Sequence, residues 1–363
     1  MAIPATWLTR LTASVGAPLA WTRAIAFQGA YNLEVTDEAA RDAEDPKAER
    51  PSEASEAGPE EAGGFTNAPV SGALLATNIG VFAAQVYLTG DLGSALGMPD
   101  DVLRRLGANA SLWTIADNRI ETLVTACFLH ASILHLVLNM LVLWQVGPLL
   151  ERAIGSARFF PLYLAAGIVG SASSAIWGRF FGLTVSVGAS GALCGLIAAA
   201  TVVGVRTEGW RGELAVGMGR WLGLIVLIGL IREISPNLSQ IDNAAHIGGA
   251  IGGAIVAASW QRGFTYARSA QRTVLTLSVA VVLAAGATVF VRNRTDPFLF
   301  LNVEERMRAA EAALQAGHCD SARAAIGRAI KMDPQNRSIR AEGAEIAREC
   351  WDPSTDRPSP RLR

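Results

Sequence analysis

The sequence predicts an all-α fold, a polytopic bundle of membrane-spanning helices, and three observations carry that expectation. Of 363 residues, 51% are hydrophobic and only 17% charged, and mean hydropathy is positive. Both ends of the chain are polar, so the apolar excess is concentrated in the middle. There, apolar stretches recur at about 70–88, 124–150, 157–178, 187–205, 217–234, 243–260 and 273–291, each near the ~20 residues that a bilayer core requires. They lack the strict alternation of a barrel strand, and only helices or closed barrels satisfy their own backbone in lipid. Seven helices are expected.

Residues 1–35 are mildly apolar, with Trp7, Leu11, Trp21, Ile25 and Phe27 scattered among small residues. Pro4, Pro18 and the early arginines break up any signal-peptide core, leaving a segment on the membrane surface or a disordered tail as the two readings. Residues 36–64 are acidic and nearly devoid of large apolar groups. Such a stretch buries too little surface to offset its ordering entropy, which makes 1–64 a cytoplasmic tail with a disordered linker.

Orientation follows from arginine. Arg152 and Arg158, then Arg206, Arg211 and Arg220, then Arg262, Arg268 and Arg272 fall in alternate loops, with Arg179 and Arg232 alone between them. The arginine-rich loops face the cytoplasm by the positive-inside rule. The N-terminus is then cytoplasmic and everything after residue 291 extracytoplasmic. The long first loop, with Arg104, Arg105 and Arg119, dissents, but length weakens the rule there. Arginine far outnumbers lysine, which occurs only as Lys47 and Lys331. With abundant alanine this points to a GC-rich bacterial genome, and so to a bacterial inner membrane.

Residues 295–350 form a small helical segment. Ala310, Gly317, Ala322, Ala329 and Pro334 fall at the spacing of a tetratricopeptide repeat. One repeat cannot bury its own apolar face, so residues 337–350 or the membrane domain must cover it; a generic helical hairpin is the plainer reading. Residues 351–363 read as a disordered tail. The segment offers a surface for a protein partner. A net charge of −1 without a basic block gives no sign of nucleic acid. The four cysteines form no CxxC pair, which argues against a zinc ribbon or a thioredoxin-type site; no metal or other cofactor is expected. Cys127 and Cys194 fall in apolar runs as buried thiols. In the repeat frame Cys319 begins the second helix and Cys350 ends the next, so either a disulfide joins them or both are free.

Polar groups inside spanning helices are costly and by default mark function. The second span opens with His130, His135 and Asn139, the last two a turn apart on one helical face. The fourth opens with Gly188-Ala189-Ser190-Gly191 and the sixth with Asp242 to His246. All three openings lie at the outer leaflet in the arginine-derived topology. Each residue has a plainer reading alone: Ser190 and its glycines as a packing site, His246 as a satisfied buried histidine, His130 and His135 as headgroup contacts, Asn139 as helix glue. Together they form the inventory of a hydrolase, with nucleophile, base and oxyanion donors at one depth.

These motifs resemble the rhomboid family across roughly residues 70–262. The match consists of His130-x4-His135-x3-Asn139, Gly188-Ala189-Ser190-Gly191 and Ala245-His246-x2-Gly249-x3-Gly253, with Gly147, Glu151 and Gly155 at the inner end of the second span. The resemblance implies a six-helix core over 65–265, with 266–294 added as a seventh helix. It also implies a serine protease that cleaves transmembrane protein substrates in or near their spans. Ser190 would then be the nucleophile and His246 the base. His135, Asn139 and the Ser190 N–H would be the oxyanion donors, with His130 supporting. Gly249 and Gly253 would let the sixth helix pack closely on the fourth.

Two departures stand out. Cys194 occupies a place where many members carry an aromatic ring, and Glu121-Thr122 replaces a common Trp-Arg pair before the second span. Asp242, four residues before His246, is either a helix N-cap or a third catalytic group; the family's dyad favours the cap.

A non-catalytic relative acting as a membrane chaperone or trafficking factor would lack the serine or the histidine. A transporter would carry its polar groups near mid-membrane. No HExxH motif or paired intramembrane aspartates point to other intramembrane proteases.

Overall fold

The computed structural model describes residues 65–181, 185–233, 241–261 and 266–350. The tails expected at 1–64 and 351–363 lie outside the described residues.

Helix α1 (Pro69–Thr89) starts on a proline and stops at Gly90, whose left-handed φ of 69° terminates it. Its buried stripe of Ser71, Leu74, Asn78, Phe82 and Gln85 follows the helical period. One carboxylate fixes its first turn. Glu151 accepts the N–H groups of Val70 (3.0 Å) and Ser71 (2.7 Å) together with the Ser71 and Ser156 hydroxyls. The open N–H groups of α1 are thereby satisfied by α5 (Ile133–Ile154), next to the junction with α6 (Ser156–Phe181).

The apolar run at 124–150 is not one helix. A short helical turn, α4 (Thr122–Thr125), runs on through Ala126–Phe128, and the chain then extends before α5 begins at Ile133. Ser132 sets that start: in extended conformation, its hydroxyl accepts the His135 N–H at 3.2 Å. His130 therefore lies on the approach to the span rather than within it.

Helices α7 (Ser190–Glu208), α8 (Glu213–Glu233), α9 (Asn243–Ser259) and α10 (Arg268–Thr295) complete the set. Among the described residues, six of the seven long helices are long and apolar enough to cross a membrane. The exception, α9, has 17 residues, or roughly 25 Å at 1.5 Å per residue. It packs against α6 and α7, and its exposed row of Ile247, Ile251 and Ile255 repeats at i, i+4, i+8. Its end is closed by Arg206 of α7, which donates to the carbonyls of Ala257, Ala258 and Trp260.

The first loop carries α2 (Asp100–Arg105), β1 (Asn109–Ala110), α3 (Ser111–Ala116) and α4. Strand β1 pairs antiparallel with β2 (Val185–Ser186), Asn109 opposite Ser186 and Ala110 opposite Val185. This two-residue ladder is the only sheet among the described residues.

Beyond α10, the hairpin of α11 (Val303–Gln315) and α12 (Cys319–Met332) closes over Ala310, Ala322, Ala325 and Ala329, all fully buried. A third helix, α13 (Arg337–Glu349), covers the exposed side with Ile339 and Ile346, and α12 also meets α3 of the first loop. Both covers anticipated for a lone hairpin are thus in use. Cys319 and Cys350 form a disulfide with a Cα separation of 5.5 Å, which selects the paired reading of the two thiols.

Candidate active site

The Gly188–Ser190 segment is shaped by its neighbours. Gly188 adopts φ 112°, a region open to glycine and strained for other residues. Its N–H donates to the Ala126 carbonyl at 2.9 Å. Ala189 is fully buried, and Ser190 is the first residue of α7. The N–H groups of a first helical turn have no acceptor within the helix and present partial positive charge.

His246 stands one turn into α9 and is 7% exposed. Its Nε2 lies 2.9 Å from the Ser190 hydroxyl. Three features hold it there. The Asp242 side chain caps the helix by accepting the Ala245 N–H at 2.9 Å. The Ala245 carbonyl rests against Gly170 of α6 and Gly191 of α7, each too close to tolerate a bulkier residue easily. Further down, Gly249 faces the Gly191 backbone and Gly253 faces that of Gly195. Two G-x3-G stripes thus mesh backbone to backbone, a close approach that small residues permit in a membrane bundle.

His135 and Asn139 reach the same place from α5. A side chain on Gly188 would meet His135 Cε1 and Nε2 at 2.7 and 2.8 Å and Asn139 Nδ2 at 3.3 Å. Both groups therefore lie against the bare backbone two residues before Ser190. Asn139 is 6% exposed, and its Nδ2 has no hydrogen-bond partner among the described residues. A buried donor left open beside a hydroxyl that a histidine approaches is suited to receive developing negative charge. His130 is fully buried, with its ring 5.3 Å from that of His135.

The structure brings Ser190, His246, His135, Asn139, His130, Gly188, Gly191 and Gly249 together, and places Gly253 one turn further along α9 against Gly195. Asp242 behaves as a cap, and among the described residues neither His246 Nδ1 nor Asp242 Oδ2 has a hydrogen-bond partner. Cys194 is buried one turn along α7.

Two contributors escaped sequence reasoning. Gln85 of α1 grips the His130 backbone with both ends of its amide, accepting the N–H at 3.0 Å and donating to the carbonyl at 2.9 Å. A glutamine near the end of an apolar run was a visible signal, since buried amides need partners. The second is the packing of the first loop, where Glu121 replaces an expected aromatic residue. There Arg119 and Arg292 both pair with Glu121 (3.4 and 3.3 Å). Burial lowers the Arg119 pKa from its ordinary value, while the Glu121 carboxylate opposes that shift.

Comparison with known proteins finds sequence similarity over the stretch that carries these residues. The Rhomboid domain profile matches residues 117–262. The chain is 37% identical over 172 residues to Rhomboid protease GluP of Bacillus subtilis (strain 168), covering 47% of this chain and 32% of that protein. It is 32% identical over 179 residues to RHOMBOID-like protein 7 of Arabidopsis thaliana (49% and 54%). With Rhomboid protease AarA of Providencia stuartii it shares 29% over 203 residues (52% and 70%). The chain thus spans about a third of the first of these relatives and about half of the second. The apolar helices make it an integral, multi-pass membrane protein. Its motifs meet at one end of three neighbouring helices, α5, α7 and α9, and all three lie inside residues 117–262, the stretch of this chain that matches the Rhomboid domain.

Proposed function

We propose that this protein is an intramembrane serine protease that cleaves transmembrane proteins in or near their spans through a Ser190–His246 dyad. One observation carries the reading: the 2.9 Å approach of His246 Nε2 to the Ser190 hydroxyl, at a point also flanked by His135 and Asn139.

In the reaction, Ser190 Oγ attacks the scissile carbonyl carbon while its proton passes to His246 Nε2. The carbonyl oxygen becomes an oxyanion, and Asn139 Nδ2, His135 and the Ser190 N–H are the donors nearest to it. Collapse expels the amine, which takes the proton from His246 and leaves an acyl-serine. Water, deprotonated by His246, then hydrolyses that ester and regenerates the hydroxyl. Asp242 stays a cap. No cofactor enters any step.

The orientation belongs to the same proposal: N-terminus cytoplasmic, catalytic end and C-terminal segment extracytoplasmic, in a bacterial inner membrane. The Cys319–Cys350 disulfide supports it, because such bonds persist in oxidising compartments. The C-terminal segment is read as a single tetratricopeptide-like unit with a protein partner.

The test uses the full chain in proteoliposomes with a single-span substrate. Cleavage should occur with the unaltered protein and vanish in Ser190→Ala and His246→Ala, and a fluorophosphonate should label only protein that retains Ser190. Undiminished cleavage by either variant would overturn the dyad; no cleavage and no labelling in the unaltered protein would point to a non-catalytic relative.

A further inference from the structure

The C-terminal segment is bolted to the first loop by charges that no surface contact would require. Arg306 of α11 donates both terminal nitrogens to the Asp117 carboxylate, at 2.7 and 2.8 Å, and both side chains are fully buried. Arg292, at the end of α10, donates to the backbone carbonyls of Asp117 (2.7 Å) and Asn118 (3.0 Å) and pairs with Glu121. These bonds grip a turn in which Asn118 takes φ 51°, a left-handed conformation uncommon outside glycine. A fork-shaped guanidinium matched to a carboxylate gives geometric definition as well as attraction. Buried pairs of this kind contribute less to net stability than to holding one arrangement, because desolvation offsets much of their attraction.

That turn is flanked along the chain by two contacts with the segment that leads into Ser190. Five residues after Glu121, the Ala126 carbonyl accepts the Gly188 N–H. On the other side of the turn, β1 pairs with Val185–Ser186, which lead directly into Gly188. Two ties therefore run from the clamped loop to the segment that presents Ser190. Arg292 and Arg306 both lie beyond the stretch matched by the Rhomboid domain profile.

We propose that Arg306 and Arg292 are positioning residues: the C-terminal segment fixes the Asp117–Glu121 turn, and through Ala126 and the β1–β2 ladder that turn fixes Gly188 and the nucleophile. The effect on turnover rests on the protease reading above; the mechanical coupling does not. The C-terminal helices are thus part of the catalytic apparatus rather than an independent appendage.

Arg306→Gln and the exposed control Arg308→Gln, whose partner Glu304 is also exposed, are compared in full-length protein in proteoliposomes. Misplacement of a reacting group costs about a hundredfold in rate. Arg306→Gln should therefore lower kcat by about that factor and leave KM within about twofold, while Arg308→Gln changes neither. Exchanging the pair, Asp117→Arg with Arg306→Asp, should recover part of the loss that either single change causes. Hydrogen–deuterium exchange supplies a readout independent of cleavage. In Arg306→Gln, exchange should rise over residues 117–126 and over 185–190 together. Should the unaltered protein not cleave, the protease reading fails while the exchange result still decides the coupling. Faster exchange confined to residues 296–350, or unchanged kcat despite a loosened first loop, would overturn the proposal.

Discussion

Gly249 faces the Gly191 carbonyl so closely that a single added carbon would overlap it. The contact lies on the helix turn that carries His246 and beside the residue that follows Ser190. The Ser190–His246 approach and the packing of α9 on α7 therefore depend on the same two glycines. Gly249→Ala should push α9 away from α7, with an overpacking cost of about 1–3 kcal/mol and a larger proportional loss of turnover than of stability. Gly217→Ala, which meets open space on α8, should change neither. Thermal unfolding in detergent measured alongside cleavage rates checks both.

Asn139 is expected to act in the transition state. Its buried, unpartnered Nδ2 and its place beside Gly188 make it a ready donor for an oxyanion. Removing one such donor costs about 3 kcal/mol, or roughly a hundredfold in rate. Asn139→Ala should thus lower kcat by that factor with little change in KM. Unchanged turnover with a raised KM would assign the residue to substrate placement instead.

Asp242 distinguishes a dyad from a triad. Its carboxylate accepts the Ala245 N–H and makes no hydrogen bond to His246 among the described residues. Asparagine caps nearly as well, so Asp242→Asn should retain most activity, and Asp242→Ala should cost about 1 kcal/mol of stability. A fall near ten-thousandfold for Asp242→Asn, the scale seen when a triad acid is removed, would restore the three-residue mechanism.

The cluster around Ser190 and His246 was legible in the sequence because its signals are local. Gly188 to Gly191 announce a turn entering a helix, His135 and Asn139 share a face by spacing, and Gly249 and Gly253 mark a close packing stripe. The break before α5 was hidden because Leu129 and Ala131 continue the apolar run, so hydropathy does not register the Ser132 cap. The Asp117–Arg306 pair was illegible for a different reason. Its partners lie 189 residues apart, and arginine on a short amphipathic helix normally indicates a solvated face. Nothing local distinguishes a buried guanidinium from an exposed one.

The disulfide allows a prediction about the C-terminal segment alone. Cys319 opens α12 and Cys350 closes α13, two antiparallel ends that the fold brings together, and 31 residues separate them. Closing a loop of that length stabilises the folded segment by about 3–4 kcal/mol in the chain-entropy model. That is large for a unit in which half of the fully packed core residues are alanine. Cys350→Ser should therefore loosen α12 and α13 first, since Arg323 also bonds the Cys350 carbonyl. Limited proteolysis of membranes should cut the variant within residues 316–350 under conditions that leave the unaltered chain intact. Maleimide labelling before and after reductant reports the bond directly: neither Cys319 nor Cys350 should react until reductant is added. Labelling of both under oxidising conditions would reject the bridge, and equal protease resistance of the variant would show that helix packing alone holds the segment.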